Sequence, residues 1–125
     1  MRDAENFARF VGLADKLETR ADRLSLQEKK VLELARALAG EPKLLLVDEV
    51  ASGLSTVEIR KFVELIRQVR DRYGVTVIWV EHIFSALAQV VDRLVVLESG
   101  AVIADAPLAD AVKDEKVLRS EEHTS

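Results

Sequence analysis

Short apolar runs alternate with amphipathic segments along this chain. Leu44–Val47 is a continuous apolar run, and Val75–Val80 is a β-branched and aromatic one. Runs of this length are typical of strands that are buried on both faces of a parallel sheet. Because amphipathic segments precede and separate the two runs, the pattern predicts an α/β fold with a parallel sheet.

Apolar residues at helical spacing define the other elements. Helices are expected at residues 4–11, 13–23, 25–40, 56–72, 85–91 and 107–112. The third and fourth should bury apolar stripes, which are Val31, Leu34, Ala35 and Leu38, and Ile59, Phe62, Val63, Ile66 and Val69. Arg93–Leu97 and Ala101–Ala104, separated by Glu98-Ser99-Gly100, predict a hairpin. Pro107 is expected in the first turn of the last helix, and residues 119–125 in a frayed tail.

Composition narrows the class of protein. The 125 residues are 49% apolar and 32% charged, which is typical of a soluble globular domain. The absence of cysteine excludes disulfides and thiolate metal sites. A net charge of -4 offers no basic surface, so no nucleic-acid partner is expected. No apolar run approaches the roughly 20 residues of a membrane span, and the N-terminus lacks a signal-peptide core, so a cytoplasmic location is expected.

Two carboxylates, Asp48 and Glu49, follow the first predicted strand directly. Ligands bind at the carboxyl ends of strands in open α/β sheets. One acid there could position Mg²⁺ while the next polarises a water for in-line attack on a phosphate. A buried strand with an acidic exit turn explains the same residues, and this stretch alone does not separate the two interpretations. His82 follows the second predicted strand at the same end of the sheet.

Two serines are placed to cap helices. Ser25 has Glu28 three residues on, and Ser55 has Glu58, so both pairs match the capping-box pattern. The helix N-terminus at Ser25 could also present backbone N–H groups to a phosphate. Capping by itself accounts for Ser25 and Glu28.

Six motifs in order resemble the C-terminal half of an ABC transporter ATPase subunit, over residues 10–120. Within that family the chain is most similar to the cassettes of branched-chain amino-acid importers. The motifs are Leu24–Glu28 at the signature, Leu32–Leu38 in the signature helix, Leu44–Glu49 as the Walker B strand, Ser52–Ser55 as the D-loop, His82 as the switch histidine, and Asp92–Ala104 as the closing hairpin.

This resemblance implies a fold and a division of the chain. The fold would be a parallel-sheet, three-layer P-loop NTPase core, incomplete here, preceded by helices of the ABC helical subdomain. Residues 1–40 would end the helical subdomain and carry the signature helix. Residues 41–118 would form the C-terminal half of the RecA-like core.

The resemblance also implies roles for single residues. Asp48 would hold Mg²⁺, Glu49 would be the general base, and His82 would contact the γ-phosphate. The residues that would contact nucleotide or the opposite subunit are Ser25, Gln27, Glu28, Ser52, Gly53 and Ser55. The signature departs from the family pattern, since Gln27 replaces its second glycine and Glu28 replaces its glutamine. A carboxylate at that position would repel phosphate.

The phosphate-binding P-loop is missing from the sequence. It requires Gly-x-x-x-x-Gly-Lys-Ser/Thr, and none of the five glycines precedes a lysine. The resemblance implies that the parent protein uses ATP and Mg²⁺. The parent would work with a second ATPase subunit and with transmembrane permease subunits, at the cytoplasmic face of the membrane. The chain alone is expected to bind ATP weakly and to lack ATPase activity. Unpaired strand edges left by the missing half predict a homo-oligomer.

Two alternatives remain open at this point. One is a docking or regulatory module without catalysis. The other is part of the ATPase head of an SMC-type chromosome-maintenance or DNA-repair protein. His82, the Gly100 hairpin with the Pro107 helix, and the acidic net charge argue against the second alternative.

Overall fold

A computed structural model describes residues 2–115 of the chain, so the predicted tail at 119–125 lies outside the described residues. The chain divides into two compact units that meet in sequence between Val80 and Glu81. The first unit contains α1 (Arg2–Phe10), two 3₁₀ turns (Ala14–Lys16 and Ala21–Arg23), α2 (Leu26–Ala39), β1 (Leu44–Asp48), α3 (Thr56–Tyr73) and β2 (Thr76–Val80). The second unit contains α4 (Phe84–Leu87), β3 (Arg93–Glu98), β4 (Ala101–Pro107) and α5 (Leu108–Ala111).

Helices α2 and α3 carry the core of the first unit. Their predicted apolar stripes are buried, except that Ile59 is half-buried. Phe62 of α3 meets Trp79 of β2 in a T-shaped contact, with ring centroids 5.7 Å apart. Tyr73 at the end of α3 contacts Phe7 and Phe10 of α1, at 6.0 and 5.4 Å between centroids. Aromatic contacts therefore tie α3 both to the sheet and to α1.

Strands β1 and β2 pair in parallel, as predicted, with Leu44 opposite Thr76 and Asp48 opposite Val80. The prediction that they are buried on both faces is wrong. Leu45 and Val47 are buried, whereas the side chains of the other face are exposed to solvent. We call this second surface the open sheet face; its apolar residues are Leu44, Leu46, Ile78 and Val80. Helix α3 packs against the opposite face, through Phe62 and Trp79.

Strands β3 and β4 form the predicted antiparallel hairpin, and they extend further than expected, to Glu98 and Pro107. The turn consists of Ser99 and Gly100, both with positive φ (50° and 81°). Two residues with positive φ are the requirement of a type I′ turn, which suits the twist of paired strands. The pairing shifts by one residue between Val96 and Leu97. The hairpin is thus a two-residue turn followed by a bulge.

Three helix predictions are wrong in extent. Residues 13–23 form two separate 3₁₀ turns, because a short, highly charged segment gains too little packing to offset the cost of helix nucleation. The helix predicted at 85–91 is the single turn α4, which ends before the β-branched pair Val90 and Val91. Pro107 ends β4 and caps α5 and does not lie within its first turn, since its ψ of 147° is extended.

No helix among residues 2–115 combines the length and the apolarity needed to cross a bilayer.

Candidate functional site

Two predicted site acids, the metal ligand Asp48 and the general base Glu49, lie at the carboxyl end of the parallel strand pair. Asp48 is the last residue of β1 and is opposite Val80, the last residue of β2. Glu49 follows it, and its backbone N–H donates to the carbonyl oxygen of Val80 at 2.8 Å. Both acids are exposed. They therefore occupy the end of the sheet at which α/β folds bind ligands.

Glu49 has an uncommon backbone conformation, with φ of 49°. Left-handed φ is unfavourable for a residue with a Cβ and persists where surrounding contacts hold it. The chain turns sharply at this residue, out of β1 and into the loop that leads to α3. Glu49, the predicted general base, is therefore also the residue at which the chain turns out of β1.

The donor set at this end of the sheet fits a magnesium ion that is shared with a nucleotide. Within residues 2–115, no three His, Asp or Glu side chains cluster as an all-protein metal site would. Mg²⁺ is commonly bound through one or two carboxylates together with phosphate oxygens and waters. Asp48, an exposed carboxylate oxygen donor at the strand end, fits the protein's share of such a site.

His82 belongs to the second unit and follows Val80 by two residues. Its imidazole is 54% exposed, and Nδ1 lies 3.6 Å from Oε1 of Glu81. Its backbone N–H donates to the same carboxylate oxygen at 3.3 Å. Glu81 therefore contacts His82 at both its imidazole and its backbone N–H.

The predicted signature segment contains a capping box. Ser25 Oγ accepts the backbone N–H of Glu28 at 3.1 Å, and Glu28 Oε1 accepts the backbone N–H of Ser25 at 2.8 Å. The hydrogen bond from the Ser25 backbone N–H lowers the pKa of the Glu28 carboxyl, and the Ser25 hydroxyl and Lys16 act in the same direction. Glu28 is therefore negatively charged at neutral pH, beside the half-buried Gln27 in the first turn of α2. This charge opposes the binding of an anion at that helix end.

The loop from Val50 to Ser55 connects the acids to α3. Ser55 caps α3 through a second capping box with Glu58, with hydrogen bonds of 2.9 and 3.2 Å. Ser52 and Gly53 are exposed, whereas Ala51 between the acids and Ser52 is 2% exposed. The predicted D-loop therefore presents Ser52 and Gly53 outward, while the Ser55 hydroxyl is engaged by its own helix.

Gly53 lies against the first turn of α2. Its φ is +80°, and a Cβ placed on it would come within 2.8 Å of Leu26 Cδ2. A side chain there would meet both an unfavourable backbone region and the leucine. The structure thus brings the predicted D-loop and the predicted signature helix into direct contact within this chain.

Sequence reasoning missed Lys30. Its ammonium Nζ lies 2.6 Å from the carbonyl oxygen of Val50 and 2.5 Å from that of Ser52. Lys30 is four residues after Leu26, so both project from the same side of α2. The four-residue spacing from Leu26 was the one signal available in the sequence. It does not identify Val50, the partner of Lys30, which is 20 residues away.

The chain has relatives among known proteins. No protein-family model matches the chain. The methionine import ATP-binding protein MetN 1 of Rhodococcus jostii is 35% identical over 104 residues, which are 83% of this chain and 31% of that protein. MetN of Symbiobacterium thermophilum is 38% identical over 99 residues, 79% of this chain and 30% of that protein. The chain thus spans about a third of the length of these curated relatives.

Solved structures give the fold. The ADP conformation of MJ1267, an ATP-binding cassette of an ABC transporter, matches with a TM-score of 0.85 and 24% identity, over 95% of this chain and 48% of that one. CbiO1 of Clostridium perfringens, part of the ABC transporter complex cbiONQ, matches with a TM-score of 0.84 and 24% identity, over 94% and 47%. At these identities the likeness establishes the fold.

One sequence expectation changes. The relatives are named as methionine import proteins, so the branched-chain subtype has no support from them. The relation to ATP-binding import proteins is supported over 83% of the chain by the Rhodococcus jostii relative and over 79% by the Symbiobacterium thermophilum relative. The chain is therefore related to the ATP-binding subunits of ABC transporters and has the fold of about half of their ATP-binding cassette.

Proposed function

We propose that this chain supplies the metal-ligand and general-base part of the ATPase site of an ABC importer. The observation that supports this most directly is the pair Asp48 and Glu49 at the carboxyl end of the β1–β2 pair. Asp48 would hold Mg²⁺ and Glu49 would activate the attacking water, with His82 contacting the γ-phosphate. Mg²⁺ supplies charge neutralisation on the phosphates when it is bound.

The signature and the D-loop complete the proposal. Ser25, Gln27 and Glu28 would face a nucleotide held by a second ATPase subunit, and Ser52, Gly53 and Ser55 would contact that subunit. The methionine import role of the relatives favours an amino-acid importer as the parent. The parent would then work with transmembrane permease subunits at the cytoplasmic face of the membrane.

Residues 1–125 contain no P-loop, so we expect no ATP hydrolysis by this chain alone. A chimera supplies the missing part: residues of this chain replace the 104 matched residues of the Rhodococcus jostii relative. We expect the chimera to hydrolyse ATP with Mg²⁺ while the chain alone does not, measured as phosphate release. Turnover by the chain alone, or a folded chimera that hydrolyses nothing, would contradict the proposal.

A docking module without catalysis is the second candidate function. Glu28 supports it, because a carboxylate that is ionised at neutral pH lies where the signature would approach a phosphate. Under this alternative the folded chimera would bind ATP without turnover. Replacing Glu28 by glutamine and Gln27 by glycine would then restore hydrolysis, because it restores the family pattern.

We also propose that the chain self-associates through its open sheet face. Leu46 and Ile78 lie side by side on it, with 69% and 52% exposure. Exposed apolar faces next to unpaired strand edges recruit other chains. Light scattering should give a dimer or larger species, and Leu46→Lys combined with Ile78→Glu should shift it to monomer. A monodisperse monomer of the unaltered chain at high concentration would refute this.

A further inference from the structure

Lys30 makes a long-range polar contact within the first unit that the proposed function does not use. It sits in the second turn of α2, half-buried, and reaches across to the loop that follows the candidate base. Its ammonium donates to the carbonyl oxygens of Val50 and Ser52, at 2.6 and 2.5 Å. Hydrogen bonds from a charged donor are stronger than those between neutral groups.

A second contact joins the same two elements. Gly53 packs so closely on Leu26 that a Cβ at that position would lie 2.8 Å from the leucine methyl. Leu26 and Lys30 are four residues apart and therefore share one side of α2. The loop is thus held at Val50, Ser52 and Gly53 by a single surface of the helix.

The backbone of this loop requires contacts that hold its conformation. It begins at Glu49, whose φ of 49° is unfavourable for a residue other than glycine. The backbone hydrogen bonds described for it are Glu49 N–H to Val80 and Leu54 N–H to Ala51, one at each end. Between these ends, the Lys30 ammonium bonds the carbonyls that flank Ala51.

We propose that Lys30 is a positioning residue: it clamps the loop after Glu49 onto α2, so that the candidate base and the signature turn move as one body. Lys30 itself touches no reacting atom. This inference rests on the proposed function in one respect, which is that Glu49 is the base. The clamp itself can be tested without ATP hydrolysis.

The test uses amide NMR and hydrogen exchange on this chain. Lys30→Met keeps the aliphatic stem and removes the three donors. Lys30→Arg is the conservative rescue, and Lys29→Met is the control, because Lys29 is the exposed neighbour on the same helix. The peptide N–H groups of Ala51 and Gly53 follow the two accepting carbonyls, so their resonances report the hydrogen bonds. The Glu49 and Leu54 amides report the two ends of the loop.

In Lys30→Met we expect shifted Ala51 and Gly53 resonances and exchange about tenfold faster or more at both Glu49 and Leu54. Two charge-assisted hydrogen bonds are lost, and the loss of one corresponds to about tenfold. Amides in the middle of α3 should exchange as in the parent chain, and Lys30→Arg should restore both readouts. Lys29→Met should leave the loop unchanged.

Three results would overturn the clamp. The first is a Lys30→Met loop spectrum identical to the parent's. The second is faster exchange at Leu54 with Glu49 unaffected, because the contact then does not reach the base. The third is equal acceleration throughout α3, which reports global destabilisation. If the chimera fails to hydrolyse ATP, the proposed function fails, while these readouts still decide the clamp.

Discussion

Glu49→Gln should lower the ATPase rate of the chimera by about 10²–10⁴-fold, the usual contribution of a general base. Glutamine has nearly the same shape as glutamate but accepts no proton at neutral pH. Glu49 is exposed, so the amide leaves no buried group without a partner. Folding should therefore be unaffected, and steady-state phosphate release with saturating Mg²⁺–ATP measures the loss.

The matched control is Glu33→Gln, which removes one exposed carboxylate from α2. Its rate should stay within about twofold of the parent chimera, since an exposed substitution away from the site perturbs little. ATP affinity should be unchanged in both variants. If Glu49→Gln kept most of the activity, the base would have to be another group, and the interpretation of β1 as a catalytic Walker B strand would be wrong.

Phe62→Ala should lower the free energy of unfolding of this chain by about 3–5 kcal/mol, the typical cost of truncating a buried phenylalanine. The ring is 2% exposed and forms the T-shaped contact with Trp79 that joins α3 to β2. A loss of this size is a large part of the total stability of a small domain, which is about 5–15 kcal/mol. Urea unfolding followed by Trp79 fluorescence measures it.

Two further variants separate packing from the aromatic contact. Phe62→Leu retains most of the apolar volume and loses the ring contact, so we expect an intermediate cost of about 1 kcal/mol. Val57→Ala changes an exposed apolar residue of the same helix, at 58% exposure, and should stay within about 0.5 kcal/mol of the parent. An equal loss in Phe62→Ala and Val57→Ala would show that α3 does not pack on β2 as described.

Local chemistry was predictable wherever its partners are close in sequence. Both capping boxes join residues three apart, and both helices begin where Ser25 and Ser55 indicate. The hairpin turn at Ser99 and Gly100 follows from backbone preferences of two adjacent residues. The resemblance to ABC transporter ATPase subunits also lies in the sequence, and the relatives support that coarser assignment.

The position of the two candidate acids was predictable from the sequence, and their surroundings were not. Asp48 and Glu49 lie at the predicted strand end, because the apolar run of β1 stops there. The left-handed backbone of Glu49 has no signal in the sequence, since it depends on the turn that the loop makes after β1. The Lys30 contact joins residues 20 and 22 positions apart, a distance at which residue patterns carry no information about partners.

The sequence by itself determined where α2, α3 and the strands lie and which acids end the first strand, because capping, turn preference and apolar spacing act over a few residues. Only the tertiary structure decided how those elements are covered and held. The run Leu44–Val47 is apolar throughout, yet one of its faces is exposed, because burial depends on what packs against a strand. Lys30 likewise gains its role from the loop that the fold brings to it.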